Sequence, residues 1–101
     1  MLTELLTKDG ALRCPYCGCH NLHQVAVDVF ERKEDQAEGL HVMVYGSGLQ
    51  NVRMDRNLKD NPSPRRNGLS IVFQCETCPF SSRFNIYQHK GETLLEWNTS
   101  H

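Results

Sequence analysis

The chain is poor in apolar residues. Hydrophobic types make up 39% of its 101 residues, aromatics 8%, and the mean hydropathy is −0.54. A domain of this length buries roughly two-thirds of the surface that its unfolded chain exposes. So polar a composition predicts a core too small to hold the fold without help. Long apolar runs are also missing: Val42-Met43-Val44-Tyr45 and Ile71-Val72-Phe73 are the length of strands, whereas a membrane-crossing helix needs about 20 apolar residues. No membrane partner is predicted. Met1 to Gly10 has no basic start and is interrupted by Glu4 and Lys8, unlike a secretory signal, so the predicted location is cytoplasmic. An excess of either charge is lacking as well, with 11 Lys and Arg against 12 Asp and Glu and a net charge of −1. That balance disfavours a strongly basic, non-specific nucleic-acid binder and leaves only a local patch for such a role.

Helical periodicity is nearly absent. Leu2, Leu5 and Leu6 stand at helical spacing, with Thr3 as a candidate cap and Gly10 as a stop. Residues 1–10 are therefore predicted to be an N-terminal arm or one short helical turn, and residues 11–101 a single domain. Without a helix beginning at a C-x-x-C pair, a thioredoxin-like redox site is excluded. Without a helical period after the hairpins, a nuclease of the ββα-metal type is disfavoured too. The histidines at 20, 23, 41, 89 and 101 repeat no ligand spacing, and His41 and His89 are expected at the surface or in turns rather than as general bases. The chain is not expected to be an enzyme, and neither catalytic residues nor a small-molecule substrate are predicted.

What stands out is cysteine. Cys14-Pro15-Tyr16-Cys17 and Cys75-Glu76-Thr77-Cys78 each place two thiols three positions apart, and 57 residues separate Cys17 from Cys75. Two such turns supply the four sulfurs of a tetrahedral structural site. In a reducing compartment, paired cysteines bind metal more often than they form disulfides. Cys14, Cys17, Cys75 and Cys78 are thus predicted to hold one structural Zn²⁺, although iron accepts the same ligands. The fifth thiol, Cys19, is expected to be spare. Gly18 after the first pair permits the positive φ that such turns need. With four thiolates and one Zn²⁺ the net charge would move from −1 to about −3. Tyr16 and Phe80 flank the sulfurs and are expected to pack over the site rather than stack on bases.

Chain on either side of each cysteine pair reads as strand. Val25, Val27 and Val29 alternate with Gln24, Ala26 and Asp28 in Leu22 to Phe30, giving one apolar and one mixed face, and Leu40, Val42 and Val44 alternate with His41, Met43 and Tyr45 in the returning strand. A weaker strand is expected over Leu49 to Met54. Leu69, Ile71 and Phe73 share one face of the strand entering the second pair, and Phe84 and Ile86 one face of the strand leaving it. His89-Lys90-Gly91-Glu92 reads as a hairpin turn before a closing strand with Trp97. The fold class is mainly β: two C-x-x-C knuckles on antiparallel hairpins, an extended inserted β-sheet and little or no helix. The insertion, residues 31–68, carries a charged loop and a proline-containing one.

Two knuckles clamping one zinc beneath a small antiparallel sheet resemble the zinc ribbons. More narrowly, Cys14-Pro15-Tyr16-Cys17 with Asn21-Leu22-His23-Gln24, the loop Asn61-Pro62-Ser63 with Arg65-Arg66, and Gln88-His89-Lys90-Gly91-Glu92-Thr93 before Trp97 resemble small uncharacterised zinc-ribbon proteins of tailed phages and prophages. The resemblance implies the four zinc ligands and no activity. Pro79 departs from it, standing where glycine is common. If the chain is phage-encoded, its location would be the host cytoplasm.

Two functions follow from charge. Segment 53–66 holds Arg53, Arg56, Lys59, Arg65 and Arg66 against Asp55 and Asp60. It is the candidate contact surface of a non-catalytic, phage-type accessory factor that binds nucleic acid or a host nucleic-acid-handling protein. Segment 28–38 holds five acids against Arg32 and Lys33. It suits the alternative, a protein-interaction module that docks on a host protein without nucleic acid.

Overall fold

The computed structural model describes residues 10–46 and 51–98. Six strands follow in chain order: β1 (Leu22–Glu31), β2 (Leu40–Tyr45), β3 (Val52–Asp55), β4 (Gly68–Cys75), β5 (Ser81–His89) and β6 (Glu92–Asn98). All pair antiparallel in one sheet of order β3-β2-β1-β4-β5-β6. The described residues contain no α-helix, so the expected mainly β class holds. The insertion builds no separate sheet. Its strands β2 and β3 add to the edge of β1 and widen the same one. The expected helical turn in residues 1–10 lies, but for Gly10, outside the described residues, and so does the start of the Leu49 strand, whose remainder is β3.

The strands form where β-branched and aromatic residues alternate with polar ones, because such side chains pack well on a pleated surface. Between β5 and β6, His89 pairs with Glu92, which leaves a two-residue loop. Lys90 (φ 51) and Gly91 (φ 81) both take positive φ there, the type I′ geometry that matches the twist of the strands. One expected alternation breaks. The pairing of β1 with β4 shifts between Gln24 and Ala26. Val25 therefore falls in a bulge and does not continue the row of Val27 and Val29.

Directly opposed residues share a face, so the register assigns every side chain to one of two surfaces. On one surface, a row crosses all six strands as Met54, Val42, Val29, Leu69, Ile86 and Leu95. A second runs Val52, Val44, Val27, Ile71, Phe84 and Trp97. Every one of these residues is apolar. Trp97 meets Phe84 edge-on at 5.0 Å and Phe73 at 6.1 Å, which makes this corner of the face a small packed cluster.

The opposite surface is polar and partly buried. His41 is 7% exposed, and its Nε2 lies 2.8 Å from Asp28 Oδ1 and its Nδ1 3.0 Å from Asp55 Oδ1. Arg83 donates to the other oxygen of Asp28 at 2.8 Å, and the Phe30 ring stacks on the imidazole at 4.5 Å. Farther across the sheet, Ser70 Oγ lies 2.6 Å from Asn85 Oδ1, and Asn85 Nδ2 donates to Glu96. These positions correct two expectations. His41 is not a surface residue, because carboxylates on either side satisfy both of its ring nitrogens and allow its burial. Asp28 does not belong to an acidic contact segment with the rest of 28–38, because it faces into this network. His89 does lie beside its turn.

At the sheet end away from the knuckles, the loop before β4 folds back on the strand ends. Ser63 Oγ donates to the Gln88 carbonyl at 2.7 Å and accepts from Arg66 N–H at 2.9 Å. Asn61 closes the turn by accepting from Ser63 N–H and donating to the Arg66 carbonyl. Gly68 sits beneath this turn, and a Cβ there would collide with the Asn61 side chain and the Pro62 ring. Gly68→Ala is therefore expected to cost about 1–3 kcal/mol, read as a lower melting temperature at unchanged metal content.

Candidate metal centre

Each knuckle is shaped by its own backbone. The Tyr16 N–H points at Cys14 Sγ (3.4 Å) and the Thr77 N–H at Cys75 Sγ (3.3 Å), so the two turns repeat one geometry two residues after the first cysteine. In the first, Gly18 N–H donates to the Cys14 carbonyl at 2.9 Å, and Gly18 has a φ of 80°. Pro79 takes the corresponding place in the second knuckle. A proline φ is fixed near −65°, so that turn closes differently while its sulfurs keep their direction.

The sheet brings the knuckles together. Leu22 pairs with Cys75 where β1 and β4 end, and Glu76 N–H donates to the Asn21 carbonyl at 3.1 Å. The sulfurs of Cys14, Cys17, Cys75 and Cys78 all lie within 4.8 Å of one another. Cys14 Sγ stands 3.7 Å from Cys78 Sγ, and Cys17 Sγ 3.5 Å from Cys75 Sγ. Four sulfurs at about 2.3 Å around a tetrahedral ion would be separated by about 3.8 Å, so these spacings fit. Four thiols as the donor set suit zinc or iron, not calcium or magnesium. The four predicted ligands are thus one cluster placed to hold a metal ion. Cys14 and Cys75 are its buried members, at 3% and 5% exposure.

Backbone amides act on the sulfur charges. The N–H groups of Cys78 and Thr77 hold the Cys75 thiol down to about 6. At Cys17 the Cys19 N–H pulls the same way, but burial and the neighbouring sulfurs prevail and push it up to about 12. A bound dication removes that conflict by favouring thiolate at every position.

Cys19 stands outside the cluster. Its sulfur accepts from Thr77 Oγ1 at 3.1 Å and from Asn21 N–H at 3.4 Å. Among the histidines near the knuckles, His20 is exposed, and His23 makes an exposed pair with Glu76 at 3.3 Å. Tyr16 and Phe80 pack ring against ring over the site, with centroids 4.9 Å apart.

Of the predicted basic contact residues, Arg53 lies on β3 and the others in the loop before β4, away from the four sulfurs. Arg65 is held by Asp35 through two hydrogen bonds of 2.6 Å and approaches Glu34 at 3.5 Å; Arg66 pairs with Glu34 at 2.8 Å. Arg56 meets Glu38 at 3.5 Å, Arg53 lies over the Tyr45 ring at 5.6 Å, and Lys59 is exposed. The Arg65 guanidinium beside Asp35 lowers its carboxyl below the usual range. The basic and acidic segments, which the sequence presents as separate surfaces, therefore neutralise one another across one clasp. Sequence spacing could not show this, since residues 30 positions apart meet only once both loops fold back. Compared with known proteins, the chain matches no family model, no curated protein and no solved structure.

Proposed function

We propose that this chain is a non-catalytic, zinc-stabilised accessory module that binds a protein partner through its charged end. The ribbon resemblance supports zinc over iron as the ion. A four-sulfur site supports a structural role, because it leaves no coordination position open for substrate. The observation that carries the choice of partner is the clasp. Arg65 and Arg66 are occupied by Glu34 and Asp35, so a phosphate backbone would have to displace two carboxylates to reach them. A cleft of about 80 Å³ between Glu34, Arg65, Arg66, His89 and Lys90 offers both signs of charge, which suits the polar rim of a protein interface. The narrower phage resemblance favours a host protein, a nucleic-acid-handling one first, as that partner.

The test captures partners from lysate with the parent and with Arg65→Ala/Arg66→Ala, with and without nuclease. The expected result is a defined protein retained after nuclease and lost in the double variant, whose metal content and melting temperature stay close to the parent's, since exposed pairs contribute little to stability. Loss of the captured material on nuclease treatment, with affinity falling steeply as salt rises, would replace this reading with direct nucleic-acid binding. Equal capture by both proteins would move the contact surface elsewhere.

A further inference from the structure

A sheet with one apolar face has to bury that face against something. Among the described residues its cover is partial: Phe84 is 7% exposed, while the side formed by β2 and β3 stays open. Five members of the two apolar rows remain at least 40% exposed, from Val44 at 40% to Met54 at 71%. Contiguous exposed apolar surface of this kind marks an interaction site. It is separate from the charged end invoked above for a partner.

We propose that a second copy of this chain covers the face, so that two sheets pack as a two-fold symmetric sandwich. Size is the first argument. Six strands about 4.8 Å apart span about 24 Å, and the apolar positions along them, from Leu40 to Phe73, extend about 20 Å. That footprint is about 500 Å² per copy, or about 1,000 Å² for two, the area at which specific interfaces begin. Residues 1–9 would cover about a quarter of it as a helix about 13 Å long and 10 Å across, and about half of it as a fully extended segment. Leu2, Leu5 and Leu6 therefore do not suffice.

Composition is the second argument. Neither row contains a charged or polar side chain. Within these rows, apposing two copies brings no like charges together, and Glu31 lies at the margin beside Leu40. A central double row with no polar group, flanked by Glu31 opposite Leu40 and by Gln24 and Ser82 opposite Phe73, matches the apolar centre and polar rim of homodimer interfaces. Stacked sheets sit about 10 Å apart with their strands within about 30°. Val29 and Val44, on the adjacent strands β1 and β2, would sit inside the contact, and Met54 at its edge.

The test is sedimentation equilibrium of the purified, metal-loaded full chain from about 1 to 100 μM, a range that brackets ordinary dimer affinities. The expected species has twice the 11.6 kDa chain mass. Val44→Lys should weaken dimerisation by about 100-fold or more, as central interface positions do, at unchanged metal content. Should Val44→Lys fail to fold, Met54→Glu, at an exposed edge position, should still weaken dimerisation measurably. A parent that stays monomeric at 100 μM overturns the proposal, and so does a folded Val44→Lys protein that dimerises as tightly as the parent. A monomeric parent that becomes dimeric on Leu2→Ser/Leu5→Ser/Leu6→Ser would assign the face to residues 1–9. None of these readouts involves a heterologous partner, so failure here is distinguishable from failure of the partner reading.

Discussion

Stripping the ion with a chelator, or replacing Cys75 by serine, is expected to unfold the domain rather than loosen one end of it. Structural zinc contributes about 10 kcal/mol or more, comparable with the whole stability of a small domain, about 5–15 kcal/mol. Little else ties the halves together near the knuckles. Among the described residues the buried apolar ones are Cys14, Cys75, Phe30 and Phe84, so two of these four are themselves predicted ligands. Loss of the ion leaves sulfurs 3.5–3.7 Å apart with nothing to balance their charge as they ionise. It also frees the end of the β1–β4 ladder at Leu22 and Cys75. Metal analysis should return about one zinc per parent chain. Cys75→Ser should lose both the zinc and the far-ultraviolet β signal. Cys19→Ser is the control. Its sulfur bonds to Thr77 and Asn21 rather than to the cluster, and this variant should keep its zinc and its fold. A Cys19→Ser protein without zinc would overturn the ligand set.

The second large effect belongs to the polar face. His41 lies between Asp28 and Asp55, with Arg83 on the far oxygen of Asp28. Burial disfavours its charge, but the hydrogen bonds to both carboxylates outweigh burial and raise it above its ordinary value. The N–H of Asn57 and then His41 hold Asp55 below its own ordinary value. The signs follow from linkage. A histidine raised in the folded state adds stability that is complete below about pH 6.5 and lost as pH rises through its folded value. A lowered aspartate adds stability that is complete above about pH 4 and lost as pH falls through its folded value. The network is therefore most stabilising between those two limits. The melting temperature, measured with saturating zinc, should fall on the alkaline side as His41 loses its proton and one carboxylate then faces a bare nitrogen. In His41→Leu that alkaline loss should vanish. Asp28→Asn should cost about 3 kcal/mol or more, because it leaves two buried or half-buried cations without their shared anion. For a domain of this size that is a fall of about 12 °C or more. An Asp28→Asn protein that melts with the parent at every pH would show that the four groups are not coupled.

Much of this architecture is readable before any coordinates, because it depends on residues close in sequence. Cysteines three apart make a turn with two convergent sulfurs, and both knuckles form as the spacing requires. Alternation marks β2 at the bounds expected, Leu40 to Tyr45, and Lys90-Gly91 closes its hairpin. Glu34, Asp35, Arg65 and Arg66 are equally visible as charges, but their meeting is not, since it depends on two loops folding over the same end of the sheet.

The deeper reason lies in pairing. Periodicity assigns Leu69 and Ile71 to one face of their strand and Phe84 and Ile86 to one face of theirs. It carries no information on which strands are neighbours, or on whether those faces coincide. Joining the knuckles sets β1 beside β4, and the bulge at Val25 then turns Val27 and Val29 onto the side where Ile71 and Leu69 already lie. A slip of one residue would have sent the same valines to the other surface. The long-range register thus creates the continuous apolar face. It also hides His41 and Asp28 in their network on the opposite surface, although each, taken alone in the sequence, is an ordinary polar residue in a strand.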